Sequence, residues 1–357
     1  MFTISLCMIV KNEEDVLEKC LSSISDIVDE IIIVDTGSTD KTKEIAKKYK
    51  CKIYDFKWIN DFSAARNYSF SKATSDYILW LDADDIFLEE DRDKFKKLKK
   101  TINNKVDAYS MFYNYAFDED ENVILRFRRN RIVKRSKNYL WHGFVHEYIS
   151  IKGNVNNTDI CITHNRVHDS GKRNINIYEQ KIAEGYTLDA RDTYYYAKEL
   201  FDNELYEKSL IIFNEFLDNK EGWIEDKIVA CGKIADYYTS EKKYLQCRKY
   251  CFKSFEYDLP RGEFCCRLGL SYFNENEYKK AIFWYDLATK VQKPSSDWGF
   301  INESDYTWLP HLQLCICYYR LGDKEKSYRH HKKSYEYNKD NKYIQYNNKF
   351  FQSLGYE

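Results

Sequence analysis

The stretch of the chain that most suggests chemistry is residues 79–87, which read LWLDADDIF. An apolar run leads directly into the carboxylates of Asp82, Asp84 and Asp85 and then turns apolar again. Carboxylates beside a buried strand repel one another and lose hydration, so they need a solvated turn or a positive partner. A divalent cation, Mn2+ or Mg2+, is one such partner, because hard cations bind carboxylate oxygens together with substrate phosphates. The alternative is a helix N-cap and acidic first turn before IFLEEDRDKF.

Polar residues also follow the other segments that look like buried strands. Lys11, Asn12 and Glu13 follow TISLCMIV, and Asp35 ends EIIIVD and opens the turn TGSTD. In an open α/β sheet, ligands bind beyond the carboxyl ends of the strands, so these residues and the acidic run should converge. No GxGxxG or GxxxxGK[ST] pattern follows the first strand. A phosphate-bearing ligand would therefore need another positive partner, which a metal held by the acidic run supplies.

The elements that must position these residues change character along the chain. Over residues 1–173, continuous apolar strands alternate with helical segments, which predicts a Rossmann-like α/β domain with a mostly parallel sheet. Beyond about residue 106 the strands look longer, and we expect some of them to be antiparallel. From residue 174 to 357 strand signals vanish, and an all-α domain is predicted.

The helical part repeats a pattern of small and large residues at spacings of 3, 9, 4 and 3. One set is Gly269, Tyr272, Ala281, Tyr285 and Ala288. The same spacing picks out sets that begin at Ala197, Ala235 and Cys315. This alternation is typical of tetratricopeptide-like helix pairs, with a generic helical bundle as the alternative.

Composition narrows the class of protein. A length of 357 residues suggests two domains, and a net charge of -1 gives no reason to expect a nucleic-acid partner. The 11 cysteines include no CxxC pair, which favours reduced thiols and a cytoplasmic location. We expect neither a signal peptide nor a transmembrane segment.

Four ordered motifs carry a family resemblance: SLCMIVKNEE, IIIVDTGSTDKT, FSAARNYSFSKATSDYILWLDADD and WHGFVHEYI. Over roughly residues 1–170 the chain resembles family 2 glycosyltransferases of the GT-A fold. The tail is similar to a subgroup in which tetratricopeptide-like helices follow the catalytic domain. Some members of that subgroup glycosylate peptides, including cysteine S-glycosyltransferases of glycopeptide bacteriocins, and others act on cell-envelope saccharides. The resemblance implies metal-dependent, inverting transfer of a sugar from a UDP-sugar, with a peptide or protein side chain as the favoured acceptor.

The resemblance also implies residues that bind the nucleotide sugar. They are Val10, Asn12, Glu13, Asp35, Arg66 and Asp82. Asp35 would accept a hydrogen bond from the uracil N3–H, and Arg66 would lie near the diphosphate or the acidic loop. A turn cap is the alternative for Asp35, and a surface ion pair is the alternative for Arg66.

The metal and the catalytic base are assigned in the same way. Asp84, with Asp82, would hold the metal, and a histidine would complete its coordination or meet the diphosphate. His164 is favoured over His168 because it directly ends the strand ICITH. Glu147 in WHGFVHEYI is the expected base that takes the acceptor proton, with a salt-bridged glutamate at a helix start as the alternative. His146, its neighbour, is a further candidate for the site.

Some features leave alternatives open. The run RFRRNRIVKRSK is interpreted mostly as a solvated strand face, with Arg128 or Arg129 reaching the site. The 32 tyrosines exceed what a helical core needs, so the helical domain is expected to present the acceptor, to form a homodimer, or both. A degenerate transferase domain that serves a repeat scaffold is the alternative function. Nucleotidyl transfer is disfavoured because its Gly-rich loop is absent.

Overall fold

The computed structural model describes residues 2–117, 123–165, 171–294 and 302–356. The chain forms two compact units, Met1–Tyr186 and Thr187–Glu357. The domain boundary predicted from the sequence, between residues 173 and 174, stays a prediction. The first unit as the structure divides it extends somewhat further, through the helix that begins at Arg173.

The first unit combines strands and helices. Its strands are β1 (Ile4–Val10), β2 (Glu30–Asp35), β3 (Lys52–Asp55), β4 (Tyr77–Trp80), β5 (Asp85–Ile86), β6 (Ala108–Phe117), β7 (Val123–Lys134), β8 (Trp141–His142), β9 (Tyr148–Ile149) and β10 (Val155–His164). Its helices are α1 (Leu17–Ile24), α2 (Thr42–Lys48), α3 (Phe62–Ser71), α4 (Glu89–Thr101) and α5 (Arg173–Ala183).

The second unit is helical throughout its described residues. Its helices are α6 (Ala190–Asp202), α7 (Tyr206–Asp218), α8 (Ile224–Ser240), α9 (Tyr244–Ser254), α10 (Gly262–Asn274), α11 (Tyr278–Ala288), α12 (Trp308–Arg320), α13 (Lys324–Tyr337) and α14 (Lys342–Ser353).

The main sheet has the strand order β3-β2-β1-β4-β7-β6-β10-β5. Strands β3, β2, β1 and β4 are parallel, whereas β7 runs antiparallel to both of its neighbours. Strand β10 is parallel to β6, and β8 and β9 form a separate hairpin. The predicted fold class, a mostly parallel GT-A-like sheet followed by helices, is therefore confirmed, together with the antiparallel strands expected after residue 106.

The register of the strands brings the predicted polar residues to one edge. Val10 at the end of β1 lies opposite Asp35 at the end of β2. At the same carboxyl edge, but at the other end of the strand order, His164 at the end of β10 pairs with Asp85 in β5. Helix α4 begins only at Glu89, so the interpretation of the acidic run as a helix N-cap is wrong. A short antiparallel bridge to β10, formed by residues distant in sequence, holds the run instead.

Both faces of the sheet are buried, as its continuous apolar strands require. On one face, alternate residues of β1 such as Leu6 and Met8 pack in a cluster with Leu17 and Leu21 of α1. On the other face, Cys7 belongs to a second cluster that includes two buried tryptophans, Trp80 and Trp141. This second cluster forms the floor beneath the polar edge.

The helical unit reproduces the repeat predicted from spacing. Helices pair as α6 with α7, α8 with α9, α10 with α11 and α12 with α13. Ser209 Oγ donates to the carbonyl oxygen of Ala197 at 2.7 Å, and Ser327 Oγ donates to that of Cys315 at 2.7 Å. The same contact thus recurs at matching positions of two repeats. The prediction of tetratricopeptide-like helices is confirmed.

Gly269 tests the small-against-large packing of the repeat. A Cβ at Gly269 would lie 2.7 Å from two ring atoms of the buried Tyr285, whereas one at Gly232 would be in ordinary contact with the Arg267 guanidinium at 3.5 Å and the Phe264 ring at 3.6 Å. We expect Gly269→Ala to lower the free energy of unfolding by about 1–3 kcal/mol through overpacking. Gly232→Ala, the matched control, should be neutral or stabilising by up to about 1 kcal/mol, because alanine favours helix. Urea unfolding of both variants measures this, and equal effects would contradict the packing.

The histidine pair between α12 and α13 should make stability depend on pH. His311 Nδ1 and His330 Nδ1 lie 3.1 Å apart, and burial lowers the pKa of each to about 4, with Lys333 adding to both shifts and Asp286 opposing them. A folded pKa below the unfolded value favours the neutral form, so this contribution is complete above about pH 6.5 and is lost as pH falls towards 4. We expect the wild-type chain to lose more stability between pH 7.5 and 5 than His330→Gln does. Urea titrations with equal losses in both chains would refute this.

Candidate active site

The acidic loop, residues 82–85, is held from within by a buried ion pair. Asp85 and Arg131 are both fully buried, and Arg131 Nη1 donates to Asp85 Oδ2 at 2.8 Å. The same oxygen accepts from the backbone N–H of Asp82 at 3.0 Å, which fixes the turn of the loop. The Arg131 guanidinium lies over the rings of Trp80, at 4.0 Å, and Tyr113, at 4.6 Å. This buried cation offsets part of the carboxylate repulsion noted in the sequence.

Asp84, Asp85 and His164 form a group that could hold a metal ion, with ligand atoms all within 4.8 Å of one another. His164 Nδ1 lies 3.6 Å from Asp84 Oδ2 and 4.0 Å from Asp85 Oδ1. Asp85 Oδ1 has no hydrogen-bond partner among the described residues. The structure thus brings together the predicted Asp84 and His164 and adds Asp85. His168 lies outside the described residues.

Charge is unevenly balanced along the loop. Burial raises the pKa of Asp82, but the cations of Arg66, Arg131 and Arg129 outweigh burial and hold this pKa well below its usual range. By contrast, burial and the neighbouring carboxylates of Asp82 and Asp85 raise the pKa of Asp84 to about 7. The negative charge that the protein leaves uncompensated is therefore concentrated at Asp84.

Arg66 joins the acidic loop to the predicted base. Its guanidinium is buried, with Nη2 donating to Asp82 Oδ1 at 2.6 Å and Nε donating to Glu147 Oε1 at 2.5 Å. It lies over the rings of Trp80, at 5.1 Å, and Trp141, at 4.8 Å. The alternative of a surface ion pair is wrong for Arg66, because the side chain is only 6% exposed. Asp82 is engaged by this arginine and is not part of the three-residue group that could hold a metal.

Glu147 sits in the turn of the β8–β9 hairpin, not at a helix start. The turn contains two residues in the left-handed region, Gly143 with φ +87° and His146 with φ +51°. Asn67 of α3 secures the hairpin, because it accepts from the Trp141 N–H at 2.8 Å and donates to the Trp141 carbonyl at 3.0 Å. This turn places Glu147 against Arg66. His146, the residue before Glu147, contributes one of the left-handed backbone conformations of the turn.

Hydrogen bonds join the loop after β1 to the loop after β2 at the carboxyl edge of the sheet. Asn12 takes a left-handed conformation, its N–H donates to Ser38 Oγ at 2.9 Å, and its Oδ1 accepts from the Thr39 N–H at 2.8 Å. The Glu13 N–H donates to Thr42 Oγ1 at 2.8 Å. Burial, aided by Asp84 and Asp82, raises the pKa of Glu13 to about 7. Glu13 therefore belongs electrostatically to the same site as the acidic loop.

Asp35 has two distinct oxygens. Oδ1 accepts from the N–H groups of Gly37, at 2.9 Å, and Ser38, at 3.0 Å, as the turn-cap interpretation requires. Burial raises the pKa of Asp35, but hydrogen bonds from Ser38 and Gly37 outweigh it and leave the pKa below its usual value. Oδ2 is buried and lacks a partner among the described residues. Asp35 thus caps the turn through Oδ1 and keeps a buried Oδ2 without a partner among the described residues.

Sequence reasoning missed several residues that build the site. Within the basic run, Arg131 reaches the acidic loop, and Arg129, as expected for one of the two named arginines, acts on Asp82. Arg128 turns the other way and donates to the Thr158 carbonyl at 2.8 Å. The period of two along a strand separates Arg129 and Arg131 from Arg128, and that signal was present in the sequence. Tyr113 was also missed, although its hydroxyl lies 2.8 Å from His164 Nδ1.

The fold and the site define a GT-A-like domain with an acidic loop at the carboxyl edge of its sheet. Residues 5–162 match the family described as glycosyl transferase family 2. The SPbeta prophage-derived glycosyltransferase SunS of Bacillus subtilis is 32% identical over 203 residues, which cover 50% of this chain and 45% of SunS. A tetratricopeptide repeat-containing protein of Synechococcus elongatus is 49% identical over 90 residues, or 25% of this chain and 22% of that protein.

The first unit therefore carries a family 2 glycosyltransferase domain, and tetratricopeptide-like helices follow it, as the sequence resemblance predicts. The chain spans less than half the length of these relatives. Among solved structures, TarS 1-349 of S. aureus in complex with UDP-GlcNAc gives a TM-score of 0.36 at 12% identity, covering 82% of this chain and 93% of TarS 1-349. Glucosyl-3-phosphoglycerate synthase of Mycobacterium tuberculosis, with Mn2+, UDP-glucose and phosphoglyceric acid, gives 0.28 at 24% identity, covering 31% and 44%.

Helices within the described ranges are all too short or too polar to cross a bilayer. None of the 11 cysteines, all of which lie in those ranges, is disulfide-bonded.

Arg131 should be essential for the stability of the acidic loop. Replacing it in Arg131→Met leaves Asp85 buried without its partner, so we expect the free energy of unfolding to fall by about 3–5 kcal/mol. The double variant Arg131→Met/Asp85→Leu should lose less, because no lone charge remains. Lys48→Met, which breaks an exposed pair with Glu18, is the control and should cost less than about 1 kcal/mol. Urea unfolding decides, and a single variant as mild as the control would contradict the buried pair.

Proposed function

We propose that the chain is a metal-dependent, inverting glycosyltransferase that moves a sugar from a UDP-linked donor to a peptide or protein side chain. One observation carries this proposal. At a single sheet edge, Arg66 links Asp82 of the acidic loop to Glu147, beside the group formed by Asp84, Asp85 and His164. This edge belongs to the domain that matches family 2.

The group of Asp84, Asp85 and His164 fits a divalent cation. It offers carboxylate oxygens, which suit Mn2+ and Mg2+, and an imidazole nitrogen. The unpartnered Oδ1 of Asp85 and the raised pKa of Asp84 both mark a place where positive charge is missing. When bound, such an ion would neutralise negative charge that develops on the leaving diphosphate. Asp82, held by Arg66, is better placed to orient the donor beside that ion.

Asp35 is the residue that supports a uridine donor. Its Oδ2 is a buried carboxylate oxygen without a partner in the described part of the chain, at the end of β2. A buried acceptor of this kind gains when it receives a hydrogen bond, and the N3–H of uracil supplies one. Val10 and Asn12, at the neighbouring end of β1, are the residues proposed to line the base and ribose.

Glu147 is the proposed proton acceptor. In the transfer step the acceptor heteroatom bonds to the anomeric carbon, the bond from that carbon to the diphosphate oxygen breaks, and the acceptor proton passes to the Glu147 carboxylate. Arg66 binds Oε1 of Glu147, and no described residue hydrogen-bonds Oε2. The arginine thus orients the carboxylate while one oxygen remains for the proton. Because Arg66 also binds Asp82, the proposed base Glu147 stays beside the proposed donor site.

We propose that the acceptor is a peptide or protein side chain. The resemblance to peptide glycosyltransferases favours a peptide or protein side chain, and a cell-envelope saccharide is the alternative. The helical unit exposes large apolar and aromatic side chains, among them Phe283, Tyr343 and Tyr346. We assign acceptor recruitment, or self-association to a homodimer, to this unit. A non-catalytic scaffold is disfavoured because the carboxylates, Arg66 and His164 keep a connected geometry that a degenerate site has no reason to retain.

The role of the cation predicts that donor binding depends on metal. We expect UDP to bind the chain at least about tenfold more tightly with Mn2+ or Mg2+ than after chelation. Asp84→Asn should remove most of this difference, whereas Asp93→Asn, an exposed aspartate on α4, should retain it. Isothermal titration calorimetry measures all three chains. Equal affinity with and without metal in the wild-type chain would contradict the proposed site.

Glu147→Gln keeps the shape of the side chain and removes its basicity. We expect transfer to fall at least about a hundredfold, the usual scale for a general base. UDP affinity should change little, and Glu89→Gln, at a strongly exposed position, should behave as wild type. The measurement is UDP and glycopeptide formation from a panel of UDP-sugars with cysteine-, serine- and asparagine-containing peptides. Undiminished transfer in Glu147→Gln would place the base elsewhere.

A further inference from the structure

A second feature of the first unit lies beside the site and plays no part in the chemistry above. It is a groove of about 520 Å³ between the ends of β1 and β3 and the start of α5. We call it the cationic groove and define it by Lys11, Trp58, Asn60, Lys172, Arg173 and Gln180. Its size is in the range of small-molecule sites.

The side chains that line the groove carry positive charge. Lys11, Lys172 and Arg173 line it, and no carboxylate does. None of these cations forms an ion pair with any residue that the structure describes. In a chain whose net charge is only -1, unpaired cations that converge on one concavity attract an anion. An anionic ligand therefore fits the groove better than a neutral or cationic one.

One wall of the groove is an aromatic ring held in a fixed orientation. Trp58 Nε1 donates to Asn60 Oδ1 at 2.6 Å, and the Trp58 ring packs edge-on against Phe62 at 4.8 Å. Asn60 Nδ2 donates in turn to Gln180 Oε1 at 2.6 Å, which ties the loop to α5. Arg173 lies over the Phe62 ring at 4.9 Å. A preorganised indole beside cations suits a ligand with a ring next to its charge.

The groove adjoins the proposed donor site. Lys11 directly follows β1 and lies two residues before Glu13, and Trp58 follows β3, the neighbour of β2. Glu13 interacts electrostatically with Asp84 and Asp82 on one side and with Arg173 on the other. A ligand in the groove would therefore be close enough to the site to belong to one of its substrates.

We propose that the cationic groove binds a phosphate group attached to a ring-bearing substrate of the proposed reaction, with the phosphate on Lys11, Lys172 and Arg173 and the ring against Trp58. This inference rests on the proposed function and extends it to the substrate class. Two sources share the chemistry: the diphosphate of the donor and a phosphorylated saccharide acceptor. Both carry phosphate charge that the carboxylates of the acidic loop cannot bind directly.

The test compares Lys172→Ala/Arg173→Ala with wild type, using the full chain and calorimetric titration. Both replaced side chains are exposed, so folding should be unaffected. Lys57→Ala/Lys105→Ala removes the same charge from exposed positions outside the groove and is the matched control. The ligands are uridine, UDP, inorganic pyrophosphate and, with UDP present, glucose 6-phosphate.

Two results would support the proposal and identify the source. If UDP and pyrophosphate bind the groove variant at least about tenfold more weakly while uridine is unchanged, the occupant is the donor diphosphate. If UDP is unchanged and glucose 6-phosphate weakens by this factor, the occupant is a phosphorylated acceptor. In either case Trp58→Ala should weaken the ring-bearing ligand and leave pyrophosphate unaffected.

Other results overturn it. If all phosphates bind the groove variant as they bind wild type and the control, or if none of them binds wild type, the groove is not a phosphate site. The proposed function is judged separately, by metal-dependent UDP binding at Asp84 and by transfer in Glu147→Gln. Intact metal-dependent transfer in the groove variant, with unchanged phosphate affinities, would reject the groove alone. Groove-dependent pyrophosphate binding without any sugar transfer would reject the function alone.

Discussion

The structure of the first unit depends on how several neighbouring carboxylates are held at one edge of the sheet despite their mutual repulsion. Two buried arginines provide the answer, since Arg66 binds Asp82 and Arg131 binds Asp85. Both guanidinium groups lie over Trp80, a residue of β4 itself. A buried charge is costly unless it is paired, so these pairs can exist only where the strands and the hairpin deliver both partners together. The positions of the loop and of the β8–β9 hairpin follow from that requirement.

This pairing leaves the loop one positive charge short. Arg66 is shared between Asp82 and Glu147, and Arg131 binds Asp85. Asp84 has no arginine bound to it among the described residues, and burial and the neighbouring carboxylates raise its pKa to about 7. The remaining demand falls where His164 and the unpartnered oxygen of Asp85 converge. This is the place where the proposed divalent cation would bind. Arg66 also hydrogen-bonds both Asp82 and Glu147, so the residue proposed to orient the donor and the proposed base share one guanidinium group.

Local patterns in the sequence predicted the strands, their polar ends and the helical repeat. The features that they did not predict depend on pairing between strands that are distant in sequence. Buried strands and their polar ends are encoded in short runs, which is why Asp35, Asp84 and His164 were placed correctly at one edge. The contact of Gly269 with Tyr285 was predictable because the repeat spacing itself encodes it. The alternation along the strand could have grouped Arg131 with Arg129, but the burial of Arg131 was not predictable, because a run of basic residues looks solvated until its strand is known to lie between β4 and β6. The helix-cap interpretation of Asp84 and Asp85 failed for the same reason, since its competitor was a bridge to a strand more than 70 residues away.

The central claim is that Arg66 binds Asp82 and Glu147 into one energetic unit. A double-mutant cycle on the free energy of unfolding, with Asp82→Asn, Glu147→Gln and their combination, tests it most directly. The account predicts a coupling energy of at least about 1 kcal/mol, and the coupling should vanish when the cycle is repeated in an Arg66→Met background. Additive effects, within about 0.5 kcal/mol, in the chain that retains Arg66 would contradict it.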